Sequence, residues 1–489
     1  MNEQIADWAI LVYISADRTL ANFAVESLKQ LKRGAGEGIL VLAQQASGRE
    51  EAQRYVFNKV SKPSEATNLY PSIAENLQKD PIKPPPTPGG IADPQNLTEF
   101  LKWASGYPAK HRCLFLWGHG YELLLNEDLP SNGNPSTGDK VETTGEKAAR
   151  KYLAPKNLKK ALKDARPFVG VLDIIGIDAC SLSMLELASE LRGCGNFMIA
   201  SQEEVPDTSF PYEQLLLNIR QSDNRDDVEG ISAAIPRLYA ESYQDYVVEP
   251  DSGMREITLT SLRLNNIAEI TGPLQGLATA LESSAFDQDR RETILKARAA
   301  SRDFALGLFV DLRDFCARLS LKLEECALKS ASDAVVKAID DRGVILENAT
   351  RDVEKTGCHG LSIYLPYLTD EQMERAMLAG SGDLPPVLLK GGTNHLQKGG
   401  TDHLQKGGTD HLQKARGAQI SEIEEDFELL DQFKKTNWEK FIRRGWSVML
   451  AAKEPDKLGQ HYSAQQCATN LYSMLLESQV PQKAAAAIP

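Results

Sequence analysis

The chain has 489 residues, of which 42% are hydrophobic and 25% are charged, as in ordinary soluble globular proteins. These fractions exclude a collagen-like, coiled-coil or wholly disordered chain. Lys and Arg number 55 and Asp and Glu number 68, so the formal net charge is −13. Such an acidic chain has no overall attraction for nucleic acid or anionic membranes, and no apolar run approaches the roughly 18 residues of a membrane span.

The N-terminal segment and the cysteines favour a cytoplasmic protein. MNEQIADWAILVYISADRT carries acidic residues before a short apolar run, which is not the pattern of a secretion signal. The seven cysteines are scattered and include no CxxC pair, so neither a disulfide framework nor a zinc site is predicted. Six of them are expected to be buried or surface thiols without chemistry: Cys113, Cys194, Cys316, Cys326, Cys358 and Cys467.

Short apolar runs alternate with amphipathic stretches over the first two-thirds of the chain. Strands are predicted over 8–15, 38–43, 53–60, 112–117, 170–177 and 197–201. Helices are predicted over 21–31, 96–104, 157–164 and 181–191. The Pro- and Gly-rich segment 79–94 is predicted to be a surface loop, and the polar segment 121–150 a mobile loop. Apolar strands separated by helices are typical of an α/β protein whose parallel sheet is covered on both faces, with sites beyond the carboxyl ends of the strands.

The rest of the chain is predicted to be mainly helical over 225–350, with one strand near 256–262 and a late strand at 360–365. Residues 391–414 form three octads, GGTNHLQK, GGTDHLQK and GGTDHLQK, and helices are predicted over 420–452 and 463–477. The octads have no apolar face, so they are interpreted first as a duplicated surface loop. Two alternatives are a protein-docking or protease-sensitive loop and a metal site formed by His395, His403 and His411.

Two predicted strand ends carry residues suited to nucleophilic catalysis. The strand in LFLWGHG is followed by His119, which lies between two glycines. The strand in IIGIDAC is followed by Cys180, which precedes the predicted helix of SLSMLELASEL. A helix N-terminus favours the thiolate form of a cysteine, and neighbouring parallel strands would bring both side chains to one sheet edge. The imidazole would then hold the proton of the thiol and later protonate the leaving amine. The alternative is an ordinary strand-end histidine and a small buried cysteine.

Several segments, in order, resemble one peptidase family. They are WAILVYISADRTLANFAVESLKQL, DPQNLTEFLKWASGYPAKHRCLFLWGHG, IGIDACSLSMLELASEL, IASQEEVPDTSFPY, FVDLRDF and GLSIYLP. The chain is similar to the clostripain-like cysteine peptidases (family C11), relatives of the caspases, gingipains, legumain and separase, over about residues 8–367. The resemblance implies an α/β, caspase-like (caspase-hemoglobinase) three-layer sandwich with a mostly parallel central sheet and a helical C-terminal extension.

The resemblance also implies roles for individual residues. His119 matches the catalytic base and Cys180 the nucleophile, with the backbone N–H groups of Gly120 and Cys180 as the oxyanion donors. Asp178 matches an acidic residue of the pocket for the side chain before the cleaved bond, where a carboxylate would attract Arg or Lys. The alternative is that Asp178 caps the following helix.

A second pocket acid is expected within 202–207, where this sequence departs from the family pattern. The candidates are Glu203, Glu204 and Asp207, and the sequence does not choose between them. Segment 121–151 corresponds to a region where family members are cleaved to become active, and it contains candidate processing sites at Lys140, Lys147, Arg150 and Lys151. The alternative is an uncut surface insertion. Calcium supports some relatives, but no D-x-D-x-D-G loop is present, so no cofactor is predicted.

We therefore predict a peptidase domain over 1–367, a linker with octads over 368–418 and a helical region over 419–489. The predicted function is cleavage of protein or peptide substrates after Arg or Lys by a latent cysteine endopeptidase that another protease, or the enzyme itself, activates. No nucleic-acid or membrane partner is expected. The missing secretion signal favours a regulated intracellular role such as a proteolytic cascade. The alternatives are a catalytically silent interaction scaffold and a peptidase with non-basic specificity.

Overall fold

The structure is a computed structural model that describes residues 5–16, 20–47, 52–57, 93–121, 124–126, 152–244, 256–304, 307–351, 357–365, 433–446 and 449. The octads with His395, His403 and His411 lie outside these residues, as do Lys140, Lys147, Arg150, Lys151, Cys467 and the helix predicted over 463–477. The surface loop predicted over 79–94 lies outside them as well, apart from its last two residues.

Strands and helices alternate along the chain. The strands are β1 (Ala6–Ala16), β2 (Ile39–Ser47), β3 (Gln53–Phe57), β4 (Ala109–Trp117), β5 (Gly120–Tyr121), β6 (Leu124–Asn126), β7 (Tyr152–Leu153), β8 (Leu172–Asp178), β9 (Gly195–Ala200), β10 (Ile257–Arg263), β11 (Asp303–Phe304), β12 (Phe309–Asp311), β13 (Ile345–Arg351) and β14 (Ser362–Tyr364). The helices are α1 (Ala21–Gly34), α2 (Pro94–Ala104), α3 (Pro155–Val169), α4 (Leu185–Leu191), α5 (Tyr212–Gln221), α6 (Val228–Ser242), α7 (Ala268–Ser284), α8 (Gln288–Ala300), α9 (Leu312–Leu321), α10 (Ala327–Asp341) and α11 (Trp438–Phe441).

The central sheet has the strand order β13-β10-β9-β8-β4-β1-β2-β3. The five inner strands from β9 to β2 are parallel, and β10, β13 and β3 add antiparallel edges. Trp8 of β1 pairs with Ile39 on one side and with His111 on the other. The predicted α/β class with a mostly parallel central sheet is confirmed.

Two apolar cores cover the two faces of this sheet. Successive side chains of a strand point to opposite faces, so Ile10 and Val12 enter one core while Leu11 and Tyr13 enter the other. Helices α1, α5 and α6 contribute to the first core, and α2, α3, α4 and α7 contribute to the second. The result is the expected three-layer sandwich, with every inner strand buried on both faces.

Several stretches differ from the sequence-based expectation, among them the short strands β11 and β12 within 225–350. The predicted helix over 181–191 begins only at Leu185, because the residues before it bond to other segments. Ser183 N–H donates to Ser201 O at 2.8 Å, and Ser362 N–H donates to Ser183 O at 2.9 Å. The strand β13 was not predicted within 225–350, since its sequence ILENATR is half-exposed at the sheet edge and has no apolar alternation.

The chain after the late strand returns to the second core. Trp438 and Trp446 are 0% and 1% exposed there, and the Trp438 indole N–H donates to Tyr364 O at 2.8 Å. The continuous helix predicted over 420–452 is wrong in its described part, because Asn437 adopts a left-handed φ of 58° between two short helical turns. The predicted domain boundaries stay a prediction.

Candidate active site

The two strands that carry the histidine and the cysteine are neighbours in the central sheet. β4 and β8 are parallel and in register, with Trp117 opposite Asp178 as the last pair. Gly118 N–H then donates to Asp178 O at 3.2 Å. His119 and Cys180 therefore follow side by side at the carboxyl edge of the sheet, and both are buried, each 8% exposed. The predicted adjacency of the two strand ends is confirmed, and the catalytic roles stay a prediction.

Gly120 brings its backbone against that of the cysteine. A β-carbon at position 120 would lie 2.2 Å from Cys180 O and 2.4 Å from Cys180 N. No side chain fits in that space, so only glycine allows the two backbones to come so close. The two N–H groups expected to hold an oxyanion thus belong to residues that touch.

The thiol of Cys180 packs against the loop that follows β9. Val205 N–H donates to Cys180 Sγ at 3.4 Å, and the thiol points to Val205 O at 3.9 Å. The next residue, Ser181, has a left-handed φ of 56°, a conformation that non-glycine residues rarely adopt. Two expectations are wrong here. Because α4 begins at Leu185, its N-terminus does not lie at the cysteine, and Asp178 does not cap it.

Asp178 anchors the turn that precedes α5. Its side chain has no solvent exposure, and its Oδ2 accepts hydrogen bonds from the Ser209 hydroxyl, from the Tyr212 hydroxyl at 2.7 Å and from Phe210 N–H at 3.4 Å. The Trp117 indole N–H donates to Ser209 Oγ at 2.5 Å. The pocket role of Asp178 stays a prediction, and its Oδ2 is already hydrogen-bonded to the 209–212 turn.

The three other pocket candidates occupy different environments. Glu203 Oε2 lies 3.0 Å from Arg302 Nη2, so its carboxylate is already paired. Burial, and then the neighbouring carboxylates of Glu203 and Asp207, raise the pKa of Glu204 to about 8. Within the part of the chain that the structure describes, no cation pairs with Glu204. Glu204 and Asp207 therefore form a partly exposed acidic pair within the loop that contacts the thiol.

The predicted mobile segment 121–150 begins in a small sheet of three strands, β5-β6-β7, whose last strand starts at Tyr152. Gly120 pairs with Leu125, and Leu125 pairs with Leu153. The predicted loop is therefore shorter than expected. Its candidate processing sites fall in 127–151, outside the described residues.

Four of the five other described cysteines lack the character of a nucleophile. Burial raises the pKa of the Cys113, Cys194 and Cys316 thiols, and it raises the pKa of Cys358 to about 12. Across the described ranges no group of three or more His, Cys, Asp or Glu is arranged to hold a metal ion. No helix within those ranges is long and apolar enough to cross a membrane.

Sequence analysis did not identify four residues that shape this site: Val205, Ser209, Tyr212 and Arg302. The first three lie in EEVPDTSFPY (203–212), which follows a buried strand and contains two prolines. This composition indicates a loop at the carboxyl edge of the sheet, where sites form. No sequence signal distinguishes Arg302 from the other arginines of the chain.

The parallel sheet with a histidine and a cysteine at adjacent strand ends defines an α/β protein of the caspase-like class. The sequence model of the clostripain family of C11 peptidases matches residues 12–446, so the chain belongs to that family and is a cysteine peptidase by membership. This match extends past residue 367, where the sequence resemblance ended, and includes the docked C-terminal segment. Among curated proteins, none matches this chain.

Solved structures with the same fold include two proteases of this family. One is an inactive zymogen C11 protease from Parabacteroides distasonis, with 19% identity, a TM-score of 0.52, and coverage of 74% of this chain and 93% of the other. The other is a secreted C11 cysteine protease from Bacteroides thetaiotaomicron in complex with an irreversible peptide inhibitor, with 16% identity, a TM-score of 0.50, and coverage of 76% and 96%. At these identities the likeness concerns the fold.

Proposed function

We propose that Cys180 and His119 form the catalytic dyad of an endopeptidase that cleaves after Arg or Lys. The observation that carries this proposal is the in-register end of β4 and β8, together with the contact between the Gly120 and Cys180 backbones. Neighbouring parallel strands deliver a base and a nucleophile to one edge, which is where α/β proteins bind substrates.

The chemistry follows from these two groups. The imidazole of His119 takes the thiol proton, and Cys180 Sγ attacks the carbonyl carbon of the peptide bond. The backbone N–H groups of Gly120 and Cys180 donate hydrogen bonds to the oxyanion that forms. When this intermediate collapses, the imidazolium protonates the leaving amine, and the acyl group stays on sulfur. Water, deprotonated by the imidazole, then releases the acid and restores the thiol.

Basic specificity is supported by the acidic pair at the site. Glu204 and Asp207 lie on either side of Val205, whose N–H contacts the nucleophilic sulfur. The raised pKa of Glu204 reflects burial and mutual repulsion of carboxylates, and a substrate cation would relieve that repulsion. Asp178 is the third proposed contributor, and its Oδ2 also anchors the 209–212 turn.

The enzyme is also proposed to be latent until its chain is cleaved between Asn126 and Tyr152. The strand pairs β6–β7 and β4–β8 join the parts of the chain on the two sides of this segment. A cut at Lys140, Lys147, Arg150 or Lys151 would therefore leave two fragments that stay associated. A cytoplasmic location and a place in a cascade remain predictions of the sequence, and the relative from Bacteroides thetaiotaomicron is described as secreted.

The test measures hydrolysis of fluorogenic peptides ending in Arg, Lys or norleucine, before and after limited proteolysis. Cys180→Ala and His119→Ala should each abolish cleavage. Cys194→Ala is the matched control, because Cys194 is as buried as Cys180 (7% and 8% exposed) and has no proposed catalytic role. This variant should leave turnover unchanged. Unchanged turnover in Cys180→Ala would exclude the dyad. Failure of a basic peptide carrying a thiol-reactive group to label Cys180 in the cleaved protein would favour a silent scaffold.

A further inference from the structure

Arg302 is a buried cation that joins two carboxylates from distant parts of the chain. Its side chain is 7% exposed. Nη2 lies 3.0 Å from Glu203 Oε2, and Nη1 donates to Glu256 Oε1 at 3.0 Å. The two carboxylate side chains are 23% and 11% exposed, so all three charges are largely removed from water. Removing the cation would leave both carboxylates buried and uncompensated.

Glu203 belongs to the loop that contacts the cysteine. Ser181 N–H, directly after Cys180, donates to Glu203 O at 3.0 Å. On the other side of Glu203, the N–H of Val205 donates to Cys180 Sγ at 3.4 Å. A shift of the Glu203 backbone would thus disturb two hydrogen bonds: the one to Ser181, directly after the nucleophile, and the one to the sulfur of Cys180.

The arginine is itself held in place by groups outside this loop. Its backbone N–H donates to Asp314 Oδ2 at 2.8 Å, and its carbonyl accepts from Asp311 N–H at 2.8 Å. The guanidinium carbon lies 5.1 Å from the centre of the Phe304 ring, a cation–π distance. These contacts make Arg302 a fixed point against which the 201–207 loop is positioned.

We propose that Arg302 is a positioning residue: through Glu203 it holds the 201–207 loop against Cys180, and it withdraws the Glu203 carboxylate from the substrate pocket. Glu204, with which no cation of the described residues pairs, is then the loop carboxylate that meets a basic substrate side chain. This inference rests on the proposed peptidase function. It assigns a structural role to Glu203 and a substrate-binding role to its neighbour Glu204.

The first experiment compares peptide hydrolysis by Arg302→Gln, Arg302→Lys, Glu203→Gln and Glu204→Gln. We expect Arg302→Gln to lose about 100-fold in kcat, the effect of a nucleophile misplaced by about 1 Å. Arg302→Lys should be intermediate, since lysine keeps the charge but has one nitrogen in place of the two guanidinium nitrogens that contact the two carboxylates. Above about pH 8, where Glu204 is ionised, Glu203→Gln should keep the kcat/KM ratio of Arg over norleucine peptides within about 3-fold of wild type, whereas Glu204→Gln should lower it by about 10-fold or more.

The second experiment does not depend on peptidase activity. Iodoacetamide alkylation of Cys180 is followed by mass spectrometry in the full chain, because a loosened loop exposes the sulfur. Arg302→Gln should react about 10-fold faster than wild type, consistent with local opening of the loop. Arg237→Gln is the control, because its ion pair with Glu347 is more exposed and involves no residue of the loop, and it should react at the wild-type rate. Thermal unfolding of each variant separates loop loosening from global unfolding.

Each outcome decides one part of the proposal. Wild-type kcat and wild-type alkylation in Arg302→Gln would overturn the positioning role. A loss of basic preference in Glu203→Gln as large as in Glu204→Gln would place Glu203 in the pocket. If the wild-type chain cleaves no peptide, the proposed function fails, and the alkylation rates still decide whether Arg302 positions Cys180.

Discussion

The contact between Gly120 and the cysteine backbone predicts a severe effect of one added methyl group. In Gly120→Ala the new β-carbon would lie 2.2 Å from Cys180 O, 2.4 Å from Cys180 N and 2.9 Å from Cys180 C. All three atoms belong to backbone, so no side-chain rotation relieves the overlap. The end of β4 and the residues after β8 must separate.

The size of the effect follows from how far the backbones must move. An ordinary van der Waals contact is about 3.5 Å or more, so the shift needed is of the order of 1 Å. Overpacking of this kind destabilises proteins by about 1–3 kcal/mol. A displacement of about 1 Å at reacting groups lowers the rate by about 100-fold, and loss of an oxyanion donor lowers kcat by a further factor of about 100 to 1,000.

The assay measures kcat and KM of the activated Gly120→Ala protein on an Arg peptide, with urea unfolding in parallel. Gly276→Ala is the matched control, because a β-carbon at position 276 in helix α7 meets nothing within 4 Å. Alanine there should raise the free energy of unfolding by about 0.5–1 kcal/mol without changing activity. Wild-type kcat in Gly120→Ala would refute the reasoning, since the backbones could not then touch in the active enzyme.

A buried carboxyl, a partly exposed carboxyl and a buried tryptophan give further measurable effects. Burial raises the pKa of Glu186 from 4.5 to about 7, although Tyr364 N–H donates to its Oε1 at 2.8 Å. The folded chain thus keeps a proton that the unfolded chain releases, and stability falls as pH rises between these values. Glu186→Gln should exceed wild type in unfolding free energy by about 3 kcal/mol above about pH 7 and show no gain near pH 4.5; a pH-independent difference would contradict this. The kcat/KM ratio of Arg over norleucine peptides should rise as pH passes about 8, where Glu204 ionises, and Glu204→Gln should lose that rise; an unchanged profile would remove Glu204 from the pocket. Trp438→Ala should lose about 3–5 kcal/mol in urea unfolding, whereas Phe286→Ala, 79% exposed, should change stability by about 0.5 kcal/mol or less; equal effects would mean that the C-terminal segment is not docked.

The strands of the central sheet could be predicted because their signal is local. Each inner strand is buried on both faces, so its sequence is an uninterrupted apolar run such as WAILVYIS at 8–15, within the observed Ala6–Ala16. The positions of His119 and Cys180 followed from the same runs, since both residues come directly after a strand. That β4 and β8 are neighbours is consistent with the resemblance to the peptidase family.

At residues 181–184, long-range hydrogen bonds override the local preference for a helix. SLSMLELASEL has helical periodicity, yet Ser183 bonds to Ser201 and to the Gly360–Ser362 segment instead of starting the helix. A partner more than a hundred residues away in sequence supplies hydrogen bonds that no window of sequence contains. The half-exposed edge strand β13 was missed for a related reason, because its stability comes from pairing with β10.

The sequence by itself determined the layered α/β architecture and the two residues proposed for catalysis, since apolar periodicity and strand ends are properties of contiguous residues. Only the tertiary structure decided what surrounds them: the contact of Gly120 with Cys180, the burial of Asp178 under the 209–212 turn, and the pairing of Glu203 with Arg302. The character of a carboxylate depends on its burial and on the charges nearby, and both are set by segments that the fold brings together from distant parts of the chain.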